Sequence, residues 1–196
     1  MLDLIIRLYL SARAHLNRMA DFLSNSFQVS LIPQTSRGYY NNIETDTLRR
    51  MAASLLENAF FSKSILQQML KRERLKIALY AALWFLALLN RATDVGLITA
   101  VAQVLFSEQI ISRWLRMEWL RSRTERVFDE TYSLLMNKVQ QQGKEFSAQV
   151  LDSLLRYETG KAQAGISLST KLFKRLNPSL TQKWQETSRV LGLAAN

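Results

Sequence analysis

Four side chains have the types and spacing to act on ions. Thr99, Gln103 and Ser107 recur every four residues, so a helix would carry them on one face, and Glu108 follows directly. In a ring of identical chains, Gln103 and Ser107 would line a narrow pore, and a ring of Glu108 would favour cations. The plainer use of the same residues is hydrogen bonding between packed helices. A second cluster, Arg37, Tyr39 and Tyr40, could bind a ligand by stacking on a base and holding a phosphate. In a structural role, the two tyrosines would pin a loop. A third group, Arg113, Arg116, Arg121, Arg123 and Arg126 with Trp114 and Trp119, could grip a phosphate backbone, but Glu118 and Glu125 interrupt it.

Little else suggests reactivity. No cysteine is present and His15 is the one histidine, so thiolate and histidine metal sites are excluded and no metal is expected. His15 reads as an ordinary surface or partly packed residue. Phosphate-binding glycine loops, zinc-protease motifs and nucleophile elbows are missing. As catalytic candidates, Glu57, Glu73, Glu108, Asp129 and Glu130 read as solvated or ion-paired helix residues. The chain is therefore expected to be neither an enzyme nor a cofactor carrier. Its net charge of +10 calls for an anionic partner: nucleic acid, a lipid surface or a phosphorylated ligand.

The elements that must position these residues are helices. Of 196 residues, only six are glycine and two proline, so the expected fold class is all-α. A first helix spans Leu2 to Leu23, with Arg7, Arg13 and Arg18 off its apolar stripe; it reads as a docked surface helix or one lying in a membrane interface. An acid at Asp3, with Arg7 interrupting the apolar run, argues against a signal peptide. Alternation at Phe27, Val29 and Leu31 suggests a short extended segment before Pro33. A long helix starts at Thr45 or Asp46 and has no breaker before Asn90, although a bend near Lys63 or Ser64 is permitted. A second long helix extends from Val95 to about Gln142, on the order of 70 Å, and Gly143 stops it. Another helical region runs from Glu145 to about Leu176, where Gly160 and Gly165 permit a bend or the close approach of another helix, and is expected to end at Asn177-Pro178. Ser179 and Gln182 then form a capping-box pattern for a last helix ending near Gly192.

The most apolar part of the chain lies where the two long helices meet. Ile77 to Asn90 and Val95 to Ser107 are runs of about 14 and 13 residues, where a bilayer core of roughly 30 Å wants about 20. Their charge flanks nonetheless fit a hairpin with both ends on the cytoplasmic side. Lys71, Arg72, Arg74 and Lys76 precede it, arginines follow it, and the tip balances Arg91 against Asp94. Lys76 and Arg91 can snorkel. The first run is apolar all round, which a helix of a small soluble bundle avoids. The organisation expected is an N-terminal cytoplasmic or interfacial helical region (1–70), a two-helix transmembrane hairpin (71–113) and a C-terminal cytoplasmic helical region (114–196). The alternative is a soluble basic all-helical interaction or nucleic-acid-binding protein.

The stretches LKIALYAALWFLALLN (75–90) and VGLITAVAQVLFSEQIISRWLRMEWLRSR (95–123), with the helix after them, resemble the SLATT-type two-transmembrane effectors of bacterial anti-phage systems. The resemblance covers roughly the middle third of the chain and is one of layout. It implies a homo-oligomeric pore or membrane-disrupting effector in the bacterial inner membrane, with the lipid bilayer as partner. It further implies gating by a nucleotide second messenger or a nucleotidyltransferase partner. Two segments, SRGYYNN and YETGKAQAGISLSTKLFKRLNPSLTQKW, exceed that layout. No family residue carries over singly.

Overall fold

The computed structural model describes residues 12–33, 44–89, 94–105, 108–137 and 143–193. Among these residues every regular element is helical: α1 Ala12–Phe27, α2 Thr47–Leu89, α3 Val95–Leu105, a π-helical turn Glu108–Ser112, α4 Arg113–Met136, α5 Lys144–Ala164 and α6 Thr170–Leu191.

Helix α2 is the axis. Asp46 starts it by accepting the Arg49 N–H at 2.8 Å, and Glu44 pairs with Arg49 at 2.8 Å; both acids meet the positive end of the helix dipole. No glycine or proline interrupts the next 43 residues, and no bend falls at Lys63 or Ser64. At 1.5 Å per residue α2 is about 65 Å long. Met51 to Glu57 are buried consecutively, so neighbours cover every face of this part. The small residues Ala52, Ala53, Ser54 and Ala59 let those neighbours approach.

The other helices wrap this axis. Tyr157 of α5 donates to the Asn58 carbonyl at 3.2 Å and lies 2.8 Å from the Ser62 hydroxyl. Phe22 of α1, Val127 and Leu135 of α4, Val150 and Leu154 of α5, and Trp184 and Leu191 of α6 close one core around Met51–Ala59. A continuation of that core holds Ile65, Met69 and Leu70 against Met117 and Leu172. The stretches before and after the apolar hairpin, which chain order divides into two regions, thus pack into one bundle.

Three boundaries differ from expectation. Phe27 is the last residue of α1, not part of an extended segment; Gln28 turns the chain with φ 57, and the Leu31 N–H donates to Ser24 Oγ at 3.1 Å. The second long helix is interrupted by the π turn and ends at Met136, where the Asn137 N–H caps Ser133 O. Asn177-Pro178 does not end a helix, and Ser179 is not an N-cap. The break comes earlier, at Gly165 (φ 58) and Ser169, whose side chain caps the Leu172 N–H, and α6 runs through Pro178. Interior proline costs about 3 kcal/mol. The apolar face formed by Leu172, Leu180, Trp184 and Leu191 is buried as one stripe, and about 1.5–3 kcal/mol per large side chain outweighs that cost. The Ser179 hydroxyl also satisfies Leu176 O at 2.9 Å.

Candidate functional site

Burial along α2 stops at Leu70. From Lys71 to Leu89 the helix continues for about 28 Å with no residue buried. The first turns beyond the core are basic, and Ile77 onward is apolar. Leu79 is 59%, Phe85 59%, Leu86 63% and Leu89 79% exposed. Asp94 starts the return helix α3 by accepting the Gly96 N–H at 3.1 Å through its side chain and the Leu97 N–H at 3.1 Å through its carbonyl. Val95 and Leu97 on α3 are exposed as well. An apolar two-helix hairpin therefore stands out from the bundle. A surface of this kind marks an interaction site for a membrane or another apolar partner. Among the described residues, no helix is long and apolar enough to cross a membrane.

A clamp ties the base of the hairpin to the bundle. Arg74 of α2 donates to both carboxylate oxygens of Glu118 on α4, at 2.6 and 2.9 Å. The Trp114 indole donates to the same carboxylate at 3.0 Å, and its ring packs beside Ile65, Met69 and Met117. The Arg74 hydrogen bonds, with help from Trp114, hold the Glu118 carboxyl below its ordinary range against the opposing effect of burial. Around this clamp, Lys71, Arg72, Lys76 and Arg113 are exposed. Because Leu172 packs against Met69 and Leu70, the exposed Lys171, Lys174 and Arg175 of α6 join the same end of the bundle.

The sequence-predicted pore residues are only partly placed. Thr99 and Gln103 are exposed one turn apart on α3, and the Thr99 hydroxyl is spent on Val95 O at 2.9 Å. Ser107 lies outside the described residues. The Glu108 backbone opens the π turn, but its side chain is not described. Arg37, Tyr39 and Tyr40, the predicted ligand-binding group, fall outside the described residues. The arginine face of α4 is partly neutralised: Glu118 engages Arg74, Arg121 pairs with Glu125 at 3.2 Å, and Arg123 lies 5.3 Å from the centre of the Trp119 ring. The partly buried Trp114 is not a free stacking platform. Sequence reasoning missed the clamp because its partners lie 44 positions apart.

His15 and Arg18 of α1 approach Glu158 of α5, at 4.0 and 2.8 Å. Burial, and then the charges of Arg18 and Lys161, push the His15 imidazole below its ordinary value. Among the described residues, no group of three or more His, Asp or Glu is arranged to hold a metal. A polar cleft of about 340 Å³ between α4 and α5, lined in part by Glu130, Gln149, Asp152 and Arg156, contains an internal Asp152–Arg156 pair at 2.7 Å.

Compared with known proteins, the chain matches no family model, no curated protein and no solved structure.

Proposed function

We propose that this chain is an oligomeric membrane effector of the bacterial inner membrane. Its hairpin enters the bilayer while the bundle stays at the cytoplasmic face, and several copies together make the membrane permeable to ions, as a pore or by disruption. In this reading the setting is anti-phage defence, with a nucleotide signal or a partner protein controlling insertion. The observation that carries the reading is the exposure of apolar side chains in one run along Leu79–Leu89 and again at Val95 and Leu97, beyond the point where burial along α2 stops. Leaving so much apolar surface in water forgoes about 25 cal/mol per Å², which a hydrocarbon environment recovers. Both arms return to one bundle, so both flanks of the hairpin stay on one side, and the basic residues at its base favour the cytoplasmic side.

The arms are short. Ile77 to Leu89 spans about 20 Å and α3 about 16 Å, against a hydrocarbon core of about 30 Å. The hairpin therefore inserts part-way or thins the bilayer around it, and pairing of copies from thinned membrane supplies the conducting path. Thr99 and Gln103 of α3, with Ser107 and Glu108 beyond them, are the residues assigned to its polar lining.

The test is expression of the full chain followed by membrane fractionation and a potential-sensitive dye. The chain should sediment with membranes, need detergent for release and depolarise cells. Gln103→Leu and Ser107→Leu should change depolarisation more than Leu83→Ile. Recovery in the soluble fraction without detergent would overturn the reading. That recovery would favour instead a soluble interaction protein whose hairpin is buried in a partner, a second reading supported by the lack of a spanning-length helix among the described residues.

A further inference from the structure

Beside the base of the hairpin lies a groove of about 360 Å³ lined by Leu115, Arg116, Trp119, Gln163 and Ala164. Its walls come from the first turns of α4 and the last turn of α5, which packing of Leu120 against Ala164 holds together. The groove combines two chemistries. Leu115 and Trp119 present exposed apolar surface. Arg116, only partly exposed, has its Nε–H buried with no hydrogen-bond partner among the described residues, as have Arg121 and Arg123 further along α4. The acids nearby are engaged elsewhere: Glu118 by Arg74 and Trp114, Glu73 by Lys76 at 3.3 Å. The charge left over at this end, from Lys71, Arg72, Arg113, Lys171, Lys174 and Arg175, is positive.

We infer that this groove seats an anionic phospholipid, with the phosphate on the Arg116 guanidinium and the upper acyl chain against Leu115 and Trp119. The inference rests on the membrane reading above. Depth favours a lipid over a free anion or a peptide. Arg74 meets Glu118 at the level where α2 emerges, one turn before the apolar surface begins at Ile77. Insertion of the hairpin to Ile77 thus sets Leu115 and Trp119 at the headgroup boundary, the depth that tryptophan prefers. Guanidinium binds a phosphate diester by its planar fork, and the surrounding lysines and arginines raise the local concentration of anionic headgroups.

The experiment is flotation of the full chain with vesicles of phosphatidylcholine alone and of phosphatidylcholine containing phosphatidylglycerol. The wild type should bind the anionic vesicles at least about tenfold more tightly. Arg116→Gln should cut that preference about fivefold and leave binding to neutral vesicles unchanged. Arg116→Lys, which keeps the charge and lacks the fork, should recover part of it. Arg126→Gln, the same charge change on an exposed site further along α4, should change it less than twofold. Circular dichroism of each variant checks that the bundle is intact. Equal binding to both vesicles, or equal effects of Arg116→Gln and Arg126→Gln, would overturn the seat while leaving the membrane reading standing, provided Phe85→Asp abolishes binding to both. Failure of the wild type to bind either vesicle would overturn both.

Discussion

Leu86→Asp separates what the hairpin does in water from what it does in lipid. Leu86 lies about 14 Å along α2 from Ile77, which puts it close to the midplane of a core about 30 Å thick once the hairpin has entered. There a leucine contributes roughly −0.5 kcal/mol and an aspartate costs about 3 kcal/mol. The change of about 3.5 kcal/mol weakens partition into a bilayer by roughly 300-fold. In water the same substitution should do almost nothing. Leu86 is 63% exposed and outside the core clusters, so the expected change in stability is within about 0.5 kcal/mol. The assay pairs vesicle flotation with thermal denaturation followed by circular dichroism. The expected result is near-complete loss of flotation with an unchanged melting midpoint. Unchanged flotation would refute insertion. A large drop in the midpoint would refute the premise beneath it, because it would mean that Leu86 is already packed against something, such as a second copy of the chain.

Other consequences concern the bundle. Leu66→Ala, at a position with no exposed surface, should lower stability by about 2–5 kcal/mol in denaturant titration. Gly165→Ala should cost about 1 kcal/mol, because φ is +58 there and nothing lies within 4 Å of the added Cβ, so the backbone alone opposes it. Lys161 is buried beside Tyr157, and burial, then Arg18, lowers its ammonium from its ordinary 10.5 to about 8, against the pull of Glu158. Between those two pH values the unfolded chain holds a proton that the folded chain has released, so stability should rise with pH across that window. Lys161→Met should flatten the rise and stabilise the protein at neutral pH by on the order of 2–3 kcal/mol, readable from midpoints in denaturant at several pH values.

The parts of this fold legible in the sequence are those fixed by local periodicity. α2 could be read almost to its ends because Glu44 and Asp46 mark its start and no glycine or proline follows before the hairpin tip. The first arm of the hairpin stood out because its apolar residues cover every face of the helix. Misreadings arose where a strong local signal met a stronger tertiary one. Pro178 looked like a stop, but burial of Leu180 and Trp184 carries α6 through it. Phe27 fitted an alternating pattern, yet α1 continues to it while Phe22 buries against the core. The clamp and the groove were invisible for a different reason: Glu118 pairs with Arg74, 44 positions away, and Arg116 and Gln163 come to line one groove only after α5 folds back along α4.

The π turn Glu108–Ser112 gives the hairpin a geometry that one continuous helix would lack. In an unbroken helix from Val95, the face carrying Thr99 and Gln103 would extend with a fixed phase into α4, so the bundle would dictate which way that polar face points. A π turn holds one residue more than an α turn and rotates everything beyond it by about 100°. The π turn thereby shifts the phase of the helix as it enters α4, whose buried face carries Met117 and Leu120. On the other arm no such break exists: α2 passes from core to hairpin as one helix, with Arg74–Glu118 bracing it where it leaves. One arm is therefore continuous with the core helix of the bundle, and the other carries a π turn at its root. On the proposed oligomeric reading, the offset that the π turn introduces would set whether Gln103 faces a neighbouring copy or the axis of the assembly.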